Sequence, residues 1–270
     1  MATVSKKPDP KSVGSSDRSP AIEVVGLSKR YGDFEAVRGL DFQIGAGEVV
    51  GFLGPNGAGK TTTMRMLTGF IPPSDGTIRI AGADIFSEGA RARRAIGYLP
   101  ETPPLYPEMT PASYVEFVAR LKDVDRANLK TAVERALSRC GLLDVSHREI
   151  RQLSKGYRQR IGLAQAIVHD PKVLVLDEPT VGLDPIQIRE IRELIRDLAA
   201  TGGQTILLST HILAEVEAIC QRAILLHDGR KVLDEPLSAL VGGGASLEEV
   251  FARVMTRDTP GDDGQAGVAV

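Results

Sequence analysis

The sequence has no long apolar run, little net charge and only two cysteines, and each shortage excludes a class of protein. It contains no stretch of the roughly 18 apolar residues that span a bilayer, so we expect any membrane role to require a partner. A formal net charge of −2 provides no general attraction to nucleic acid, and we expect no nucleic-acid partner. Cys140 and Cys220 have apolar neighbours in helical patterns, which favours reduced core residues in a cytosolic protein over a disulfide.

Composition also predicts the domain boundaries. The chain is 42% hydrophobic and 25% charged, as is typical of a globular protein. Residues 1–20 are rich in Ser, Lys, Pro and Asp and lack the apolar centre of a secretory signal, so we expect a disordered extension there. Residues 256–270 have a similar composition and predict a disordered tail. One domain is therefore expected over residues 21–255, with a helical subdomain at about 102–165.

A glycine-rich segment, which we call the phosphate loop, has the spacing of a loop that wraps a phosphate chain. Its residues are Gly54, Pro55, Asn56, Gly57, Ala58, Gly59, Lys60, Thr61 and Thr62. Glycines let backbone N–H groups point at anionic oxygens, helped by the positive end of the following helix. Lys60 adds a charge at the outer phosphates, and Thr61 offers a hydroxyl to Mg²⁺. An apolar strand before the loop and a helix after it favour a nucleoside triphosphate site over a turn that binds nothing.

The fold is predicted to be α/β because apolar strands alternate with amphipathic helices along most of the chain. Runs such as 48–53, 172–176 and 205–208 are apolar after their first residue, which is typical of strands in a largely parallel, covered sheet. Residues 22–27 and 40–44 read as strands too, and 40–44 alternates apolar and polar side chains, as an antiparallel subdomain with one wet face requires. Tyr31 lies in the predicted connection between these two strands. It could stack on adenine or be a half-buried packing residue.

The predicted strand at 172–176 leads into two acids. Asp177 is positioned to hold Mg²⁺ directly or through water. Glu178 beside it is either the base that polarises an attacking water or an acidic helix cap. His211, after the strand at 205–208, could reach a γ-phosphate oxygen, whereas the other histidines are expected to be surface or packing residues.

A second anion-binding turn precedes another helix. Residues 154–157, which we call the serine turn, place Ser154 and Gly156 at a helix start. One nucleotide does not need two such turns in one chain. Two copies arranged head to tail would use both, because each serine turn would close over the nucleotide of the other copy.

The region between these motifs is predicted to be helical. Thr110 should cap a helix that carries Tyr114, Phe117, Val118 and Leu121 on one buried face. The proline-rich connector at 101–109 is either a surface that contacts a partner or a simple linker.

Taken in order, six elements resemble the ATP-binding subunits of ATP-binding cassette (ABC) transporters, especially multicomponent type-2 exporters. They are Tyr31, GPNGAGKTT at 54–62, GYLPE at 97–101, LSKGYRQR at 153–160, VLVLDEPTVGLDP at 173–185 and STH at 209–211. The likeness extends from about residue 22 to 255. Two departures stand out: Glu101 replaces the usual glutamine, and the serine turn has Lys155 and Tyr157 where glycine and glutamine are commonest.

This resemblance implies a P-loop NTPase core that binds and hydrolyses ATP with Mg²⁺. ATP would lie between two subunits, which could form a homodimer or a heterodimer, with Tyr31 on adenine and Ser154 and Gly156 acting from the opposite chain. Glu101 could still reach the metal. The implied partner is a separate polytopic permease that holds the chain at the cytoplasmic face of the membrane. The alternative is an ABC-type ATPase that acts on nucleic acid or ribosomes.

Overall fold

Two β-sheets and a set of covering helices form the protein, in a computed structural model that describes residues 19–241 and 246–257. The predicted extensions at 1–20 and 256–270 lie largely outside these residues. The strands, in chain order, are β1 (Ile22–Tyr31), β2 (Phe34–Ile44), β3 (Val49–Leu53), β4 (Asp75–Ile80), β5 (Ala83–Asp84), β6 (Ile96–Leu99), β7 (Val173–Asp177), β8 (Thr205–Thr210), β9 (Arg222–His227) and β10 (Arg230–Pro236). The α-helices are α1 (Lys60–Leu67), α2 (Gly89–Arg94), α3 (Pro111–Leu121), α4 (Leu129–Arg139), α5 (Lys155–Ile167), α6 (Pro185–Gly202), α7 (Leu213–Ile219), α8 (Leu237–Val241) and α9 (Leu247–Arg257).

The larger sheet has the strand order β10-β9-β3-β8-β7-β6 and is parallel except for its edge strand β10. Every residue of β3, β7 and β8 is buried, because helices or the second sheet cover both faces. Val50 and Phe52 face one core with α1 and the second sheet, while Val49 and Leu53 face the other core with the remaining helices. The predicted α/β fold with a largely parallel sheet is confirmed.

The smaller sheet is antiparallel, with the order β2-β1-β4-β5, and confirms the predicted antiparallel subdomain. The prediction of a connection at 29–31 is wrong, because β1 continues to Tyr31 and pairs with Phe34 across a tight turn. Gly32 makes this turn possible by adopting a φ of +58°, a conformation that suits glycine. Polar residues at 29 and 30 are compatible with a strand here because one face of the sheet is exposed.

Helices α3, α4 and α5 follow β6 and precede β7 in the sequence, and they pack against one another. Thr110 caps α3 as predicted, since its hydroxyl accepts a hydrogen bond from Ser113 N at 3.2 Å. The predicted buried face of α3 is only partly correct: Tyr114 and Val118 are buried, but Phe117 is 39% exposed and Leu121 is 65% exposed. The helix is rotated so that small residues on its other flank, including Ala119, pack inward and allow close approach of its neighbours.

Several local predictions are confirmed elsewhere in the fold. The antiparallel β9–β10 hairpin turns at Asp228 and Gly229, both with positive φ. Ser246 and Glu249 form the predicted capping box at the start of α9. Cys140 and Cys220 are buried and unbridged. Among the helices that the structure describes, none combines the length and apolar character needed to cross a membrane.

Candidate ATP-binding site

The phosphate loop connects the buried strand β3 to α1, so its position is fixed by the centre of the sheet. Gly57 and Gly59 adopt φ values of +84° and +98°, which strongly favour glycine. A Cβ on Gly59 would lie 2.6 Å from the carbonyl oxygen of Ala36, and one on Gly54 would lie 2.6 Å from that of Leu226. These close approaches explain why the loop requires glycine at both ends.

Lys60 is buried inside the loop, and its ammonium contacts oxygen atoms on two sides. Nζ donates to the carbonyl oxygens of Gly54 at 2.8 Å and Pro55 at 3.2 Å. It also lies 3.5 Å from Oε1 of Glu178. The charge is therefore held close to the backbone amides that would surround a phosphate chain.

Asp177 ends β7 beside the first turn of α1. Its Oδ1 accepts hydrogen bonds from Ser209 Oγ at 2.5 Å and from Thr61 Oγ1 at 3.4 Å. Burial raises the pKa of Asp177, and the bond from Ser209 opposes this increase only in part. The hydroxyl of Thr61 and the carboxylate of Asp177 are hard oxygen ligands in close proximity, so the residues present fit a Mg²⁺ ion.

Glu178 follows with a φ of +48°, a strained value for a residue that is not glycine. Its backbone N–H donates to both the carbonyl and the hydroxyl of Ser209. Its Oε2 lies 2.9 Å from Nδ1 of His211, and the side chain is largely buried. Glu178 and His211 therefore form a hydrogen-bonded pair directed at the phosphate loop.

These side chains border one cavity of about 350 Å³. Its lining includes the phosphate-loop residues Asn56, Gly57, Gly59, Lys60, Thr61 and Thr62, together with Glu101, Glu178 and His211. Glu101 also borders a second cavity of about 510 Å³, which it shares with Thr61, Asp177 and the aromatic residues Phe70 and Tyr98. The structure thus brings most of the predicted site residues to one edge of the large sheet.

Tyr31 is half exposed at the end of β1 and is not part of the cavity lining. Lys29 Nζ lies 5.3 Å from the centre of its ring. Its cross-strand neighbour Phe34 lines the cavity instead and is 63% exposed. Sequence reasoning missed Phe34, and it gave no role to Ser209, which holds both Asp177 and Glu178.

The serine turn lies apart from this cavity. Ser154 and Gly156 line a separate cavity of about 200 Å³ with Tyr157, Arg160 and Gln187. Ser154 caps α5, with its Oγ accepting from Tyr157 N at 3.4 Å. Within one chain, the two predicted anion-binding turns therefore face different spaces.

The sequence matches the protein family described as "ABC transporter" over residues 37–181, which is just over half of the chain. It is 40% identical to the Nod factor export ATP-binding protein I of Paraburkholderia xenovorans (strain LB400), covering 86% of this chain and 76% of that protein. It is 38% identical to the bacitracin transport ATP-binding protein BcrA of Bacillus licheniformis, covering 82% of this chain and 72% of that protein.

Solved structures agree with these relatives. One described as the ATP-binding subunit of an ABC transporter has a TM-score of 0.78 and 32% identity, covering 87% of this chain and 99% of that one. A dimeric ATP-binding cassette in a post-hydrolysis state, bound to ADP and Pi, has a TM-score of 0.72 and 25% identity, covering 80% of this chain and 98% of that one. The chain therefore belongs to the ABC transporter family, as an ATP-binding and ATP-hydrolysing subunit.

Proposed function

We propose that two copies of the chain bind ATP head to tail, hydrolyse it at two shared sites, and drive export through a separate membrane permease. One observation carries the shared-site proposal. Lys60, Thr61, Glu178 and His211 border one cavity, whereas Ser154 lines another. A second chain would bring its serine turn over the phosphate loop of the first, and the existence of a dimeric ATP-binding cassette bound to ADP and Pi supports a dimer.

Each side chain has a role in this proposal. Lys60 and the loop amides stabilise phosphate charge, and Thr61 and Asp177 hold Mg²⁺, with Glu101 as a further oxygen ligand. Glu178 accepts a proton from the attacking water, and His211 orients Glu178 and supports the γ-phosphate. Mg²⁺ would neutralise phosphate charge as a Lewis acid.

Residues outside this group contact the adenine and complete the binding of the γ-phosphate. Tyr31 stacks on adenine, and Phe34, its neighbour across the β1–β2 hairpin, lines the cavity. Ser154 and Gly156 of the opposite chain donate to the γ-phosphate. A heterodimer with a related chain would use the same contacts.

The concentration dependence of activity tests this shared site. We expect ATP binding at all chain concentrations, but turnover per chain should rise steeply as concentration increases, because hydrolysis requires two copies. Equilibrium nucleotide binding and steady-state ATPase rates measured over the same dilution series provide the comparison. A dilute monomer with full turnover per chain would contradict the proposal.

The permease should contact the exposed surface near the proline-rich connector. Tyr106, which is 47% exposed, packs edge-on against Tyr114 and Phe117 with ring centres 6.1 and 6.0 Å apart. Leu121, one helical turn after Phe117 on α3, is 65% exposed. The similarity to proteins of Nod factor export and bacitracin transport supports export, and binding to a permease would hold the chain at the cytoplasmic face of the membrane.

Purification in detergent from the native cells tests the permease contact. We expect a polytopic membrane protein to co-purify with the wild-type chain. The Phe117→Ser, Leu121→Ser variant should lose this protein while keeping its basal ATPase rate, since neither residue borders the ATP cavity. Equal recovery of the membrane protein by both chains would contradict this contact surface.

A further inference from the structure

A buried carboxylate behind the active site connects the two loops that carry the proposed catalytic pair. Glu215 lies on α7 and has no solvent exposure. Its Oε1 accepts a hydrogen bond from Thr180 Oγ1, and its Oε2 accepts one from Thr210 Oγ1 at 2.7 Å. Arg192 of α6 contributes an ion pair, with its guanidinium 3.8 Å from Oε1. A buried acid of this kind requires such partners, so its position and theirs are mutually fixed.

Each of the two threonines is adjacent to a functional side chain. Thr180 lies two residues after Glu178, in the turn that leaves β7. Thr210 directly precedes His211, and its hydroxyl also accepts a hydrogen bond from Ile212 N at 3.0 Å. The backbone is therefore held on both sides of His211 and just beyond Glu178.

We propose that Glu215 is a positioning residue for ATP hydrolysis, which holds the Glu178 loop and the His211 loop in register through Thr180 and Thr210. This inference rests on the proposed roles of Glu178 and His211. Glu178 has a strained backbone, and strain of this kind persists only where the surrounding structure over-determines it. The Thr180 bond supplies one such constraint, and the hydrogen bonds that Glu178 N donates to Ser209 supply others.

A small displacement at either threonine would separate the pair. The contact between Glu178 Oε2 and His211 Nδ1 is 2.9 Å, and a general base must stay within hydrogen-bond reach of its water. The backbone of the phosphate loop is contacted by β2 and the β9–β10 hairpin, and Lys60 donates to the carbonyls of Gly54 and Pro55, so the loop keeps these contacts without Glu215. Loss of the Glu215 bonds should therefore lower kcat more than it raises KM for ATP with Mg²⁺.

Threonine-to-valine variants test this role while leaving the buried ion pair of Glu215 and Arg192 intact. Thr205→Val is the matched control. Thr205 is also buried on β8, but at the opposite end of the strand from Thr210, where its hydroxyl accepts from Gly47 N at 2.9 Å. All three substitutions remove one buried hydroxyl and keep the side-chain shape.

Thr180→Val and Thr210→Val should each lower kcat by about ten-fold or more, with KM changed by less than about three-fold. Thr180→Ser and Thr210→Ser, which keep the hydroxyl, should recover most of the rate. Thr205→Val should lower the thermal unfolding midpoint about as much as Thr180→Val and Thr210→Val do. It should nevertheless leave kcat within about two-fold of wild type. In a Glu178→Gln background, Thr180→Val should cause no further loss, because its effect passes through Glu178.

Three contrary results are distinguishable. If Glu178→Gln lowers turnover but Thr180→Val and Thr210→Val behave like the Thr205→Val control, Glu215 has only a structural role. If Glu178→Gln itself keeps the wild-type rate, the proposed base is wrong and the positioning role fails with it. Valine effects that serine does not relieve would also overturn the inference.

Discussion

The phosphate loop and the serine turn each precede a helix, and they differ in how many of their polar groups are satisfied within the chain. Lys60, Asp177 and Glu178 each have at least two polar partners. The side chain of Ser154 accepts one long hydrogen bond, at 3.4 Å. The ammonium of Lys155 lies against Gly182 with no hydrogen bond or ion pair among the described residues. Only the phosphate-loop side is preorganised by its own chain.

The charged residues that surround the two turns also differ. Beside Lys60, the phosphate-loop cavity and its edge carry the carboxylates of Glu101, Asp177 and Glu178. The start of α5 has no acidic residue in its first turn, where Lys155 and Arg158 are exposed. A basic turn that supplements an acid-rich site is consistent with the proposed head-to-tail pair, since it would offset charge on ATP and the carboxylates. In the proposed pair, the phosphate-loop side of one chain would supply the catalytic groups, and the serine turn of the other chain would close the site.

The largest expected effect is that of Glu178→Gln on turnover. Loss of the base should reduce kcat by roughly 10²- to 10⁴-fold, the usual contribution of general-base catalysis. ATP binding should persist, because Lys60 keeps its bonds to the loop carbonyls. Steady-state ATPase assays and nucleotide titrations measure the two quantities. Glu193→Gln, at an exposed position on α6, is the control and should match wild type. Wild-type turnover by Glu178→Gln would show that Glu178 is not the general base.

A smaller effect is expected for Ser154→Ala, which tests the role of the serine turn without altering the phosphate loop. Turnover at saturating ATP should fall by about ten-fold, while the nucleotide affinity of the dilute single chain stays unchanged, because the turn acts on the other copy's nucleotide. Loss of the helix cap also lowers stability by about 1 kcal/mol. Thr110→Ala removes the equivalent cap of α3 and is the matched control, with reduced stability but normal turnover. An equal fall in single-chain affinity would place Ser154 in its own chain's site.

The smallest effect concerns the stability of the site without ligand. Burial raises the pKa of Asp177 from its usual 3.8. For a carboxyl group whose folded pKa is raised, the contribution to stability is complete below the unfolded pKa and is lost as pH increases through the folded pKa. At pH 7, Asp177→Asn should therefore increase the unfolding temperature by roughly 2–4 °C, the shift produced by about 1 kcal/mol in a domain of this size.

Calorimetry at pH 7 with and without ATP and Mg²⁺ checks this prediction. The ligands should stabilise wild type more than Asp177→Asn, because the variant lacks the metal carboxylate. Asp197→Asn, at an exposed carboxylate of α6, should change neither value. A lower unfolding temperature for Asp177→Asn without ligand would show that the ionised carboxylate stabilises the fold.

The features that were predictable from sequence depend on consecutive residues. The run from β3 through the phosphate loop to α1, and the turn at Asp228 and Gly229, are encoded locally by apolar runs and glycine positions. The alternation of strands and helices was enough for the α/β fold. The motif order was enough for the family, which carries ATP binding and hydrolysis with it.

The features that were not predictable depend on how a helix is rotated about its axis and on contacts between residues that are distant in the sequence. An apolar helix pattern does not say which flank faces inward, so Phe117 and Leu121 were wrongly predicted to be buried. Glu215 and Thr180 are 35 residues apart in sequence and meet only because β7 and β8 are neighbours in the sheet. Phe34 lines the ATP cavity because the hairpin folds over the phosphate loop, which no local pattern indicates.

A mixing experiment tests the shared site most directly. Lys60→Ala damages one phosphate loop, and Ser154→Arg damages one serine turn, so each chain alone should be inactive. When the two are mixed in equal amounts, half of the dimers pair a sound phosphate loop with a sound serine turn at one of two sites. We therefore expect roughly a quarter of the wild-type ATPase rate. Ser138→Arg, at an exposed position of α4, controls for the added arginine. Recovery on mixing is the predicted result, and mixtures as inactive as their separate components would contradict the shared site.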